Sequence, residues 1–130
     1  MLDQQIEENR WATVILDHVR LVHDQLGPGL LESAYKECLY HVLHKSGLQV
    51  EEEKPMPLMF QEVKLDCGYR IDLLVAKRVV VEIKSVEALN EVHLAQVLTC
   101  LKLGEYKLGL LINFNVAQIR HGIRRVVNGL

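Results

Sequence analysis

Two carboxylates stand where carboxylates are costly. In the run Val79-Val80-Val81-Glu82-Ile83-Lys84, Glu82 and Lys84 interrupt an otherwise apolar stretch. The two-residue period of a strand puts Val79, Val81 and Ile83 on one face and Val80, Glu82 and Lys84 on the other. Earlier in the chain, Asp72 is set among apolar neighbours in Tyr69-Arg70-Ile71-Asp72-Leu73-Leu74-Val75. Aspartate is a poor strand residue and an unpaired buried carboxylate is penalised, so both acids need a reason. A three-residue connection, Ala76-Lys77-Arg78, pairs Val75 with Val79 and sets Asp72 directly opposite Glu82, with Arg70 opposite Lys84. A two-residue connection would set Asp72 against Ile83 and break the match of faces, so the odd-length loop is the expectation. Carboxylates roughly 5 Å apart on one face repel and favour a divalent cation between them. Hard oxygen ligands with positions left for water suit Mg2+ or Mn2+. Lys84 is then a charge placed to stabilise a phosphoryl transition state or to orient attacking water. The competing reading is structural: a buried ion-pair network in which Lys84 neutralises Asp72 and Glu82.

A third acid, Glu32, lies in Gly29-Leu30-Leu31-Glu32-Ser33-Ala34-Tyr35 at the start of a helical pattern. The helix macrodipole favours an acid in the first turn, which would account for it without any chemistry. Tyr35, three residues on, shares its face and is placed to hold the carboxylate. Gly29 lets the backbone pack closely before the helix begins.

The elements that must position these residues follow from periodicity. Trp11, Ile15, Val19, Val22 and Leu26 recur at helical spacing and predict a helix over about residues 4–26, stopped by Gly27-Pro28-Gly29. Leu31, Ala34, Tyr35, Cys38, Leu39 and Val42 form the stripe of a second helix, with Gly47 as its stop. From Leu48 the period shifts towards two, and residues 48–66 read as two strands in which Pro55 and Pro57 demand an edge or a bulge. Strands over 69–75 and about 79–85 follow. Asn90 is placed to cap a third helix, with Leu94, Val97, Leu98 and Leu101 buried and Gly104 at its end. Lys107 to Asn113 is nearly all apolar, as a buried parallel strand requires, and strand–helix–strand is the crossover unit. The tail from Val116 fits either a turn plus strand or a short helix. The expectation is one α/β domain over residues 1–130.

Composition excludes several alternatives. With 49% hydrophobic and 25% charged residues the chain is not disordered, and no apolar run approaches the ~20 residues that cross a bilayer. The polar, acidic start MLDQQIEENRW is unlike a signal or transit peptide. Cys38, Cys67 and Cys100 are odd in number and widely spaced, which suits reduced thiols, so a cytoplasmic protein with no membrane partner is expected. A net charge of −2 excludes a polycation that coats nucleic acid by charge alone. Residues 1–66 hold 12 acids and 6 bases, but residues 67–130 hold 5 acids and 9 bases, so a local basic surface around Arg120, Arg124 and Arg125 competes with an ordinary solvated face. An aromatic content of 5% argues against a base-stacking platform. His41 with His44, and His18 with His23, lack the cysteine pairs of a zinc site and read as exposed or partly buried helix residues. Cys38 and Cys100 read as core, Cys67 has no context for a nucleophile, and Glu51-Glu52-Glu53 reads as a solvated strand end. No glycine-rich nucleotide loop is present.

Gly29-x-x-Glu32-x-x-Tyr35, followed by Asp72 and then Glu82-x-Lys84, closely resembles the GxxExxY protein family, which is grouped with the PD-(D/E)XK nuclease superfamily. The similarity runs from about residue 10 to the C-terminus through LGPGLLESAY, GYRIDLLV, VVVEIKS and LLINFNV. The resemblance implies a restriction-endonuclease-like fold, a mixed sheet flanked by helices with two N-terminal helices ahead of it. It implies that Asp72 and Glu82 are metal ligands, that Glu32 joins their shell, that Lys84 is the catalytic lysine and that Gln96 is a polar active-site residue. Ile71 stands where the superfamily name has proline, and Cys100 where the family favours an aromatic. The implied function is Mg2+- or Mn2+-dependent hydrolysis of phosphodiester bonds in nucleic acid, DNA being the first candidate. Arg70 and the three C-terminal arginines are candidates for the phosphate backbone. A catalytically silent nucleic-acid- or protein-binding module of the same fold is the alternative, and a homodimer is compatible with an exposed sheet edge.

Overall fold

The computed structural model describes residues 2–130, and side chains from residue 7 onward. The amphipathic stripe at the N-terminus becomes helix α1 (Leu2–Leu26), which buries Ala12, Ile15, Val19 and Val22. Leu26, at the end of the expected stripe, is instead exposed. Gly27, at φ +65°, turns the chain out of the helix, a conformation that costs glycine little. Helix α2 (Glu32–Lys45) follows and buries Tyr35, Leu39 and Leu43. Leu31, expected on its buried stripe, is its N-cap and is 75% exposed, because the chain is still extended there and points the side chain away from the sheet.

Residues 48–66 form three short strands rather than two: β1 (Val50–Pro55), β2 (Leu58–Phe60) and β3 (Val63–Leu65). Pro55 ends β1, and β2 and β3 close on each other as a separate hairpin around Gln61 and Glu62, both at positive φ. Strands β4 (Arg70–Val75) and β5 (Val79–Lys84), helix α3 (Glu91–Gly104) and strand β6 (Leu108–Asn113) complete the centre. The tail resolves into a 3-10 turn (Ile119–Gly122) and a strand β7 (Ile123–Val127), which combines the two readings open in the sequence.

The main sheet has the order β1-β4-β5-β6-β7, with β5 and β6 parallel and every other pair antiparallel. It is the mixed sheet flanked by helices that the sequence predicts. Odd-numbered residues of β5 and even-numbered residues of β6 pack with α1 and α2, and the opposite face of both strands packs on α3. Gly109 of β6 allows α3 to approach, since a Cβ there would stand 2.7 Å from Val97 Cγ1. At the end of β6, buried Asn113 accepts from Val86 N–H (3.1 Å) and donates to Val86 C=O (3.0 Å). That pair of bonds fixes the segment between Lys84 and α3. His23 of α1, expected to be exposed or partly buried, is buried; it bonds the Val116 carbonyl at 2.8 Å and ties α1 to the loop after β6.

Candidate active site

The connection Ala76-Lys77-Arg78 has the expected odd length. Val75 pairs with Val79, Leu74 with Val80 and Leu73 with Val81. At Asp72 the ordinary ladder gives way to side chains. The Ile83 N–H donates to Asp72 Oδ2 at 2.8 Å, and the Asp72 N–H points at Glu82 Oε1 at a longer 3.4 Å. Each carboxylate therefore takes the main chain of the other strand, which explains how two acids are tolerated inside β4 and β5. The opposite end of this hairpin is held by Arg78, which donates to the buried Glu8 carboxylate of α1 at 2.9 Å.

Both carboxyls sit above the usual carboxylate range. Burial is the main cause for each, and for Glu82 the adjacent Asp72 charge and a shared hydrogen bond add to it. Ile83 N–H offsets part of the effect at Asp72. A cation between the two acids would draw both back down. Lys84 draws both acids downward from a distance, but among the described residues it forms no ion pair with either. The buried ion-pair network considered above is absent from this arrangement.

Two open cavities flank Asp72. One of about 410 Å³ lies on the α3 side, lined by Glu82 and Lys84 of β5, by Tyr69, Arg70 and Asp72, and by His93, Gln96 and Cys100 of α3. The other, of about 560 Å³, lies on the α2 side, lined by Glu32, Ser33 and Lys36 of α2 with Glu53, Asp72 and Ser85. Asp72 and Glu53 line both, so the cavities form one cleft across the ends of β4 and β5. A family model of the PD-(D/E)XK nuclease superfamily matches residues 9–126. The chain belongs to the PD-(D/E)XK nuclease superfamily. No curated protein and no solved structure matches it significantly.

The fold brings Asp72, Glu82 and Lys84 to one wall with Arg70 and Gln96. Glu32 reaches only the α2-side cavity, where its carboxylate accepts from Ser85 N–H at 3.3 Å. Among the described residues no three His, Cys, Asp or Glu side chains converge as a metal cage. Nor does Tyr35 hold Glu32. Its hydroxyl donates to Gly27 C=O (2.5 Å) and accepts from Leu30 N–H (3.1 Å), while its ring stacks on Phe114 at 4.5 Å. The tyrosine therefore pins the turn before α2, and Leu30 C=O in turn accepts from Ser85 Oγ at 2.6 Å. Glu32 and Leu30 together clamp the residue that follows Lys84.

The C-terminal arginines lie elsewhere. Arg124 and Arg125 are on β7, the far edge of the sheet, where Arg125 bonds Asn9 of α1, and Arg120 bonds Gln118 in the preceding turn. None of the three lines either cavity. Of the expected phosphate contacts only Arg70 is beside the acids.

Three residues of the cleft were not expected there. Glu53, expected as part of a solvated strand end, sits at φ +52° within β1 and pairs with Lys36, whose ammonium is stabilised by that contact and by Asp72. A non-glycine residue in this region of a strand is uncommon, and no sequence pattern marks it. His93 lines the α3-side cavity and left no mark in the sequence because α3 carries no second histidine to form a pattern with it. Cys100 does face the acids, and burial with their charges pushes its thiol up to about 11. Its burial agrees with the apolar stripe on which the sequence sets it.

Proposed function

We propose that this protein is a metal-dependent nuclease that hydrolyses phosphodiester bonds in nucleic acid, with DNA as the first substrate to test. The observation that supports it best is the Asp72–Glu82 pair: two half-buried carboxylates, both raised in pKa by burial and Glu82 further by the Asp72 charge, unpaired with the neighbouring Lys84, and open to a cleft. An all-oxygen donor set of this kind fits Mg2+ or Mn2+. Asp72 and Glu82 would hold the ion, which when bound polarises a phosphate oxygen and acidifies a coordinated water. The motif Gly29-x-x-Glu32-x-x-Tyr35 supports placement in the GxxExxY branch, since Tyr35 braces the turn that begins near Gly29 and Glu32 braces Ser85.

The chain's own groups supply the rest. Lys84 places a fixed positive charge on the cavity wall, where it opposes the negative charge that builds on the phosphate during attack. Gln96 offers an amide that can orient water or a phosphate oxygen, and Arg70 at the rim provides a planar cation for the backbone. Glu32 acts through Ser85 by holding the end of β5 on which Lys84 stands. The free state of Cys38, Cys67 and Cys100 supports a reducing, cytoplasmic setting. Pairing of two copies along the β1 edge belongs to the same proposal and is read by light scattering.

The test is calorimetric titration of the whole chain with Mn2+, beside Asp72→Ala and Glu82→Ala, followed by cleavage assays on DNA and RNA. Saturable binding lost in both variants, with divalent-dependent cleavage, is the expected result. Binding without cleavage of any nucleic acid form would favour the silent module, and no binding by the folded wild type would remove the metal site.

A further inference from the structure

The start of α3 carries a device that its role in capping does not account for. Asn90 Oδ1 accepts from His93 N–H at 3.0 Å, and His93 Nδ1 accepts from Asn90 N–H at 3.1 Å. This is a capping box, a motif that glutamate or glutamine ordinarily completes at the third helical position. Histidine does the same task with one ring nitrogen and keeps the second. Because a backbone N–H can only donate, Nδ1 must be the bare nitrogen, and the hydrogen of the neutral ring is forced onto Nε2. Nε2 has no protein partner among the described residues, and the ring lines the cavity that holds Glu82, Lys84, Gln96 and Arg70. The helix end thus presents a donor of set tautomer and set direction to a cavity whose lining also includes Tyr69, Arg70, Lys84 and Gln96.

We propose that His93 is a substrate-binding residue whose Nε2–H donates a hydrogen bond to a phosphate oxygen of the nucleic acid. The proposal rests on the nuclease reading above and adds the group that fixes the phosphate from the α3 side. No proton is transferred, and the Asn90 bond stays intact.

Long-range proton–nitrogen correlation spectra of the histidine rings test this on the full chain. The probes are a short DNA duplex and, in parallel, an RNA hairpin, each with Ca2+ as the hard cation. In the free protein the hydrogen is expected on Nε2, and on binding its proton should move downfield and exchange more slowly. His93→Gln and His93→Glu both keep an acceptor for Asn90 N–H, so the thermal midpoint should hold while binding weakens. Glutamine, which retains an amide donor, should cost a few-fold, and glutamate, which has none, about tenfold or more. A hydrogen on Nδ1, an unmoved Nε2–H in a saturated complex, or affinities within about twofold of wild type would each overturn the proposal while leaving the nuclease reading in place. Failure of the wild type to bind either probe would overturn both, and the Mn2+ titration would then report separately on the carboxylate pair.

Discussion

Replacing Glu82 by glutamine should make the metal-free protein more stable at neutral pH, and the gain should grow with pH. Burial and the Asp72 charge push the Glu82 carboxyl from 4.5 up to about 9, so the fold favours its protonated form. A carboxyl raised in this way contributes stability that is fully present below its unfolded pKa and is lost as pH rises through the folded one. Between those limits the folded chain holds one more proton than the unfolded chain, which gives a slope of about −1.4 kcal/mol per pH unit. From pH 5.5 to 7.5 the wild type should therefore lose about 3 kcal/mol from this group, against a typical total of about 5–15 kcal/mol. Glutamine has nearly the same shape and cannot ionise, so Glu82→Gln should lack this component. The assay is urea unfolding of both proteins in chelator across that range, read as the difference between them so that other titrating groups cancel. Adding Mg2+ should restore the wild type at high pH and leave the variant unchanged. Parallel stability curves would refute the reasoning, because they would mean that Glu82 is already ionised in the fold and compensated by Lys84.

Lys84→Met should retain Mn2+ affinity within a few-fold and lose about 10²–10³ in kcat on whichever nucleic acid is cleaved, since the lysine is placed to act on transition-state charge. Calorimetry and a cleavage time course separate the two effects. Tyr35→Phe removes the partner of Gly27 C=O and Leu30 N–H, and should cost about 1–3 kcal/mol in urea unfolding. Among the thiols, exposed Cys67 should react with a thiol reagent at pH 8 well before Cys100, whose thiol is held at about 11. Mass spectrometry of the labelled peptides gives the order.

Local chemistry alone determined much of this protein. The length of Ala76-Lys77-Arg78 together with the two-residue period was enough to bring Asp72 against Glu82 and to put Lys84 on the same face, because a strand register admits only discrete choices. Asn90 announced the start of α3, and the apolar run before Asn113 announced a central parallel strand, because caps and burial leave marks within a few residues. The roles of Glu32, Tyr35, Glu53 and His93 were decided by tertiary structure. Glu32 and Tyr35 share a helix face, yet their partners are Ser85 and the preceding turn, and no spacing rule carries information about a strand more than fifty residues away. Glu53 resembles its neighbours Glu51 and Glu52 until a left-handed backbone turn places it across from Asp72. The C-terminal arginines form a basic cluster in sequence, but alternation along β7 and its place at the far edge disperse them away from the acids. Hydrogen-bonding and charge partners that are distant in sequence exist only once the sheet is assembled, and that is why the pair of acids was legible beforehand while the groups that hold and flank it were not.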